Sequence, residues 1–393
     1  MTINLNTELK NRIKRLQDII VKEKVDGCII NSSVNLFYLC DFIFDGFLYI
    51  LPEGNPIFFI KRPIGIEGDD VFYIRKPEQI LDLLSSNLKE NFRKPNRIFI
   101  ENDVTSYNTV IRIQNALGNP EMVNVSGIMR DIRALKSNYE IDQMRKNAKL
   151  QADVYRKIPS IYKPGITDIE YQIEVEYLMR KNGSLGVYRS FGSNMDIFMG
   201  TVLVGDNAHK ASPFDFALGG SGMTNFLPIG ASGTKLEEGQ TILFDMAGNY
   251  SPWQTDMSRT FAIGKVSEKV VMAHNVSIEM HNWILDNVKE GTLCSDIYNY
   301  CIDTAKKYNF SEYFMGIMQQ AKFVGHGLGL EINEPPVLSP RSKDVLKENM
   351  TFAFEPKFVL PKIGPAGIEN TYLVKKDGLE KITICEEDLI CLK

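Results

Sequence analysis

The sequence contains few histidines and cysteines, and it has no excess of basic residues. Its 393 residues include only four histidines and six cysteines, and no two cysteines form a Cys-x-x-Cys pair. We therefore expect reduced, mostly buried thiols in a cytoplasmic protein. Lysine and arginine (45) are fewer than aspartate and glutamate (49), and the net charge of −4 argues against a nucleic-acid partner.

Membrane signals are also missing. No run approaches the roughly 18 apolar residues that a membrane span requires. The first residues, MTINLNTELK, lack the basic segment and apolar core of a secretory signal. We therefore expect no membrane partner.

The composition, 44% hydrophobic and 24% charged, is that of a folded protein whose length favours two domains. The first third alternates helical and strand patterns, which predicts a smaller α/β domain over residues 1–135. A charged amphipathic helix with a cap at Ser137 and Glu140 then opens a second domain, residues 136–393. Further helices are predicted from Thr167 or Asp168 to Gly183 and from about Glu268 to Val288, among strands and glycine-rich loops.

Four carboxylates lie in strand patterns where apolar side chains are usual. A hairpin centred on Tyr250 and Ser251 would place Asp245 opposite Asp256. A second hairpin, centred on Lys362, would place Glu355 opposite Glu369. Like charges repel at cross-strand positions, and a buried unpaired carboxylate costs several kcal/mol. One or two divalent cations between the pairs would remove this cost.

His326 lies in FVGHGLGLEINEPP, between glycines and an acidic loop. Its local sequence does not distinguish a metal ligand from a base or a core imidazole. Together with the four carboxylates it would form an oxygen-rich donor set that suits Mn²⁺, Fe²⁺, Co²⁺ or Zn²⁺. His274 and His281, seven residues apart on a predicted helix, are interpreted instead as packed or solvated side chains.

These motifs resemble those of the creatinase, prolidase and aminopeptidase P metallopeptidases, and the resemblance covers nearly the whole chain. It is carried by FDMAGNYSPWQTDMSRTF, by GHGLGLE and by the pair FEP and GIENT. The resemblance implies an α+β fold, with a C-terminal pita-bread domain after a creatinase-like N-terminal domain. It also implies Xaa-Pro dipeptidase or aminopeptidase activity on short peptides, and a homodimer.

The resemblance further assigns roles to individual residues. The implied ligands of two divalent ions, with manganese first and cobalt, iron or zinc as alternatives, are Asp245, Asp256, His326, Glu355 and Glu369. A hydroxide bridging the ions would attack the peptide carbonyl. Glu355 would also be the catalytic group that moves the proton of the attacking water to the leaving amine.

The sequence departs from the family pattern at two substrate-side positions. Asn333 stands where these peptidases usually have a second histidine, and Gly367 stands where proline-specific relatives commonly have arginine. His209 falls near the place of a further family histidine, so both His209 and Asn333 are candidate substrate-binding residues. The departures leave two alternatives open: a non-peptidase hydrolase or lyase on the same scaffold, and a non-catalytic binding protein.

Overall fold

The computed structural model describes residues 2–192 and 198–393. The chain divides into two compact units, a first that ends at Arg133 and a second that runs from Ala134 to Lys393. The domain boundary expected from the sequence lies two residues later.

The first unit is built on one six-stranded mixed sheet with the strand order β4-β3-β2-β1-β5-β6. Its strands are β1 (Gly27–Ile30), β2 (Asp45–Ile50), β3 (Ile57–Arg62), β4 (Val71–Tyr73), β5 (Arg97–Ile100) and β6 (Glu121–Asn124). Its helices are α1 (Thr7–Lys22), α2 (Ser33–Cys40), α3 (Ile80–Leu88), α4 (Tyr107–Ala116) and α5 (Ser126–Ala134). The helical spacing of apolar residues in α1 is the reason that Leu9, Ile13 and Leu16 are buried together.

The second unit carries the helices α6 (Asn138–Tyr155), α7 (Ile158–Ile161), α8 (Asp168–Lys181), α9 (Glu268–Asn287) and α10 (Cys294–Lys307). The predicted cap of α6 is confirmed, because Ser137 and Glu140 form a reciprocal capping box. Helix α10 was missed. The residue before it is Leu293, which makes no side-chain capping bond, so the usual polar start signal is absent.

Three sheets complete the second unit, ordered β11-β10-β12-β15-β16, β17-β9-β8-β7 and β13-β14. Their strands are β7 (Gly200–Val204), β8 (Thr241–Met246), β9 (Ser258–Ile263), β10 (Gly325–Gly327), β11 (Glu334–Val337), β12 (Thr351–Phe354), β13 (Lys357–Leu360), β14 (Gly364–Gly367), β15 (Asn370–Lys375), β16 (Gly378–Lys381) and β17 (Ile390–Leu392). Every neighbouring pair is antiparallel except β17 and β9.

Two apolar clusters hold these sheets against the helices. In one, Met280 and Ile284 of α9 pack with Phe352 and Tyr372 of β12 and β15. In the other, Tyr171 of α8 joins aromatic side chains of β8 and β9. The strands that carry the predicted site are therefore fixed by packing on the helical side.

Two expectations from composition concern cysteines and membranes. All six cysteines are free thiols, and four of them are buried, as predicted. In the described part of the chain, the helices are too short or too polar to span a bilayer.

Candidate metal centre

The first acidic hairpin has a different register from the predicted one. Asp245 pairs with Ser258 rather than with Asp256, so the hairpin turns about Ser251 and Pro252. The prediction was wrong because a helix sets the turn. The side-chain oxygen of Asn147, in α6, accepts hydrogen bonds from the backbone N–H groups of Tyr250 (2.6 Å) and Ser251 (3.1 Å).

The second acidic hairpin has the predicted register. Lys357 pairs with Gly367 in β13 and β14, and Phe354 pairs with Asn370 in β12 and β15, so the same register runs through both sheets. Glu355 and Glu369 lie opposite each other at the break between them. Because the ladder is interrupted there, two acidic side chains can leave the sheet and point to a common space.

His326 is placed by the narrow strand β10. A Cβ on either flanking glycine would lie within 2.2 Å of a carbonyl oxygen of a neighbouring strand, so only glycine fits there. The His326 Nδ1 atom lies 3.2 Å from the carbonyl oxygen of Gly327, which can only accept a hydrogen bond. Nδ1 therefore carries the proton, and Nε2 is the atom free to bind a metal.

The five predicted ligands converge in two overlapping groups. In each group, one ligand atom from every member lies within 4.8 Å of the others. We call the first group the histidine set (Asp256, His326 and Glu369) and the second the lysine set (Asp245, Glu355 and Glu369). His326 Nε2 also lies 3.5 Å from Glu355 Oε1, which joins the two sets.

Burial and like charge both act on these carboxylates. Asp256 is 7% exposed and Glu369 is 1% exposed. Burial, followed by the charges of neighbouring carboxylates, raises the pKa of Asp256 and of Glu369 well above the ordinary value. The cluster therefore favours a cation as its partner.

Lys357 supplies one cation from the chain itself. Its Nζ atom donates hydrogen bonds to Asp245 Oδ2 (2.8 Å), Glu355 Oε2 (2.7 Å) and Glu369 Oε2 (2.9 Å). The side chain is fully buried. Burial opposes the charged form, but the three carboxylates outweigh it and raise the pKa of Lys357 well above its usual value. The lysine set is thus named for the ammonium at its centre.

Backbone and hydroxyl groups orient the histidine set. The Thr371 hydroxyl accepts from the N–H of Asp256 and donates to its carbonyl oxygen, both at 2.8 Å. The Arg259 guanidinium donates to the carbonyl oxygen of Glu369 at 2.8 Å. These bonds fix the backbone on both sides of the site and limit how far the ligands can move.

The predicted substrate-binding residues lie in different surroundings. Both polar groups of the Asn333 amide pair with the backbone of Phe191, at 2.7 Å each. His209 ends a 3₁₀ turn, and its Nδ1 atom lies 3.7 Å from Asp206 Oδ1. In the described part of the chain, His209 forms no hydrogen bond or ion pair with the five acidic and imidazole ligands.

At Gly367 the backbone has a φ of 121°, and a Cβ would lie 2.8 Å from the carbonyl oxygen of Pro356. An arginine side chain would be strained there, so this chain has no room for the family arginine at that position. Lys357, directly across the strand pair, brings a positive charge instead.

Sequence reasoning missed two residues of the site. Lys357 could have been found, because side chains two apart in a strand share a face and Lys357 follows Glu355 by two. The second is Tyr188, whose buried hydroxyl has no hydrogen-bond partner among the described residues. Burial and the charges of Asp256 and Asp245 raise the pKa of Tyr188. No motif identifies this tyrosine in the sequence.

The donor chemistry decides how well a metal fits. Two carboxylates and a neutral imidazole nitrogen are suitable ligands for a divalent transition metal, and the histidine set provides them. In the lysine set, the same three residues that could hold a second ion already surround the Lys357 ammonium. The fit to a pair of ions therefore fails at one of the two places.

Two models of known protein domains match this chain. Residues 12–135 match the Creatinase/Prolidase N-terminal domain, and residues 142–376 match metallopeptidase family M24. The chain belongs to metallopeptidase family M24. The predicted α+β architecture, a creatinase-like domain before a pita-bread metallopeptidase domain, is confirmed.

Relatives match along the full chain at low identity. The Xaa-Pro dipeptidase of Pyrococcus furiosus is 24% identical, with 97% of this chain and 100% of the relative covered. Among solved structures, an Xaa-Pro dipeptidase from Bacillus anthracis has a TM-score of 0.80 at 23% identity, covering 98% of this chain and 100% of its own. An X-Pro aminopeptidase from Thermotoga maritima has a TM-score of 0.77 at 21% identity, covering 96% and 99%.

Proposed function

We propose that this chain hydrolyses short peptides of the Xaa-Pro type in a metal-dependent reaction. The observation that carries the proposal is the convergence of Asp256, His326 and Glu369 with Asp245 and Glu355 in the M24 domain. The names of the P. furiosus and B. anthracis relatives support the choice of substrate class.

The proposed resident cation is divalent, with manganese first and cobalt, iron or zinc as alternatives. Asp256, His326 and Glu369 would hold it. Such an ion acts as a Lewis acid that lowers the pKa of water and stabilises negative charge on a carbonyl oxygen under attack. A bridging hydroxide between two ions, implied by the family resemblance, requires a second ion in the lysine set.

Glu355 is the proposed proton carrier. Its Oε2 atom accepts a hydrogen bond from Lys357, whereas its Oε1 atom faces His326 at 3.5 Å. Oε1 is therefore the oxygen available to take a proton from water and pass it to the leaving amine. The three N–H groups of the Lys357 ammonium are all used by carboxylates, so this lysine orients Glu355 rather than the substrate.

Tyr188 is a better placed substrate contact than Asn333. Its buried hydroxyl lacks a partner among the described residues, whereas the Asn333 amide is paired with Phe191. Under this proposal Asn333 positions the Phe191 backbone. His209 is proposed as a substrate contact from the sequence alone. A cytoplasmic location and a homodimer are likewise proposals from the sequence.

The test is a peptide panel on protein reconstituted separately with Mn²⁺, Co²⁺, Fe²⁺ or Zn²⁺. Cleavage of Xaa-Pro dipeptides and tripeptides, with slower cleavage of matched Xaa-Ala peptides, is expected. Asp256→Asn is the inactive control. Retained metal without turnover on either panel would contradict the proposal.

A non-peptidase reaction on the same scaffold is the second candidate, and Lys357 within the acidic cluster is the observation that favours it. Turnover of small non-peptide amides by the same reconstituted protein, with no peptide cleaved, would establish it instead.

A further inference from the structure

We infer that the Lys357 ammonium permanently takes the place of one metal ion, so that the centre binds a single divalent cation in the histidine set. This inference rests on the proposed function only for the location of the centre. It concerns how many ions the chain holds, which is measured independently of turnover.

The contacts of Lys357 are those of a cation at a binding site. Its Nζ atom lies 2.7–2.9 Å from one oxygen of each member of the lysine set. These distances are typical of charge-assisted hydrogen bonds. A metal ion held about 2 Å from oxygens of the same three carboxylates would occupy the volume of the ammonium.

The backbone keeps the lysine where it is. Lys357 pairs with Gly367, and its carbonyl oxygen accepts from the N–H of Met315 at 2.8 Å. The side chain is fully buried and lies 2.7 Å from Glu355 Oε2, two residues earlier in the chain. An ion that displaced the ammonium would leave a buried charge without its three partners, an outcome strongly opposed by desolvation.

The remaining charge explains why one ion is still required. The centre contains four carboxyl groups but one ammonium, which contacts three of them. Asp256 has no hydrogen bond to Lys357 among the contacts of the described residues, and it lies 4.0 Å from His326 Nε2. The histidine set therefore keeps the acidic charge and the free imidazole nitrogen that a divalent ion binds.

Metal stoichiometry tests the inference directly. The purified wild-type protein is stripped with chelator, equilibrated with excess Mn²⁺, passed through a desalting column and analysed for metal per chain. One Mn²⁺ per chain is expected, with the electron paramagnetic resonance spectrum of an isolated ion. Two ions per chain with the spectrum of an exchange-coupled pair would overturn the inference, and so would no bound ion.

A glycine variant tests whether the lysine is the cause. Lys357→Gly removes the ammonium and is expected to double the metal content to two Mn²⁺ per chain with a coupled spectrum. Lys362→Gly is the matched control: it makes the same substitution in the connection between β13 and β14, at an exposed residue with a φ of 64° that suits glycine. The control is expected to keep one ion.

The wild-type measurement decides the inference even if Lys357→Gly does not fold. One ion per chain without peptide cleavage would leave the inference intact and remove the proposed peptidase function. Two ions per chain with cleavage would do the opposite.

Discussion

The lysine set and the histidine set stabilise buried carboxylates in different ways. In the lysine set, Asp245, Glu355 and Glu369 surround an ammonium that is part of the chain. In the histidine set, Glu369 shares that ammonium, whereas Asp256 faces the His326 imidazole and contacts no lysine or arginine in an ion pair among the described residues. The first set thus gains a cation of the chain itself when the protein folds, whereas the second is proposed to take its cation from solution.

The same chain holds a simpler buried lysine for reference. Lys136 Nζ lies 3.0 Å from Glu334 Oε2, and both side chains are nearly fully buried. Lys136 forms an ion pair with one carboxylate among the described residues, whereas Lys357 contacts three. The excess of negative charge around Lys357 is a property of the site and is not required to bury a lysine in this fold.

The largest expected effect follows from removing the charge of Lys357. Lys357→Met keeps most of the side-chain volume but leaves the lysine set without a cation. In metal-free protein, the free energy of unfolding is expected to fall by about 3–5 kcal/mol, the usual cost of breaking a buried ion pair. Urea unfolding at pH 8 measures it.

Lys362→Met, at an exposed position of the same hairpin, is the control and is expected to change the free energy of unfolding by less than about 0.5 kcal/mol. A loss below about 1 kcal/mol for Lys357→Met would show that the ammonium is not the counter-charge of the lysine set.

A matched pair of amide variants separates the two sets. Saturating Mn²⁺, at about 100 times its dissociation constant, is expected to stabilise the wild-type protein by about 2.7 kcal/mol. Asp256→Asn should abolish this gain because it removes a carboxylate ligand of the histidine set. Asp245→Asn should keep it, since Asp245 belongs to the lysine set alone.

The readout is the free energy of unfolding of each variant with and without Mn²⁺. An equal loss of the metal-induced gain in both variants would mean that both sets bind metal and that the difference between them is not real.

The sequence predicted the two acidic hairpins unequally well. The register of the second was correct because a short connection around Lys362 leaves few ways to pair strands of that length. The register of the first was wrong by two residues because Asn147, more than 100 positions away, fixes the turn. Contacts of that kind are not encoded near the strands they control.

The residues of the site also divide into those that the sequence identified and those that it did not. Asp245, Asp256, His326, Glu355 and Glu369 could be selected from their motifs, and the structure brings them together. The position of Lys357 was available from strand alternation, but its burial was not, because lysine is almost never fully buried without a partner. Only the three carboxylates around it make that burial possible, and their convergence is a property of the folded chain.

The smallest expected effect concerns the support behind the lysine set. His274, 1% exposed, accepts a hydrogen bond at Nδ1 from the N–H of Gly367 (3.2 Å), the residue paired with Lys357. Its Nε2 atom lies 2.8 Å from the carbonyl oxygen of Glu387, so it donates there. A second proton, on Nδ1, would break the bond to Gly367, and burial lowers the pKa of His274.

The lowered pKa of His274 determines how the free energy of unfolding changes with pH. A histidine whose folded-state pKa is lowered contributes stability that is complete above the unfolded value of about 6.5 and is lost as the pH falls through the folded-state pKa. The free energy of unfolding should therefore decrease below about pH 6.5, by at most about 1.4 kcal/mol per pH unit from this group. His274→Asn keeps an acceptor near Nδ1 but does not titrate, so urea titrations from pH 7.5 to 5 should give it a shallower slope. An unchanged slope would assign the acid sensitivity to other groups and remove His274 as a pH-dependent support of the lysine set.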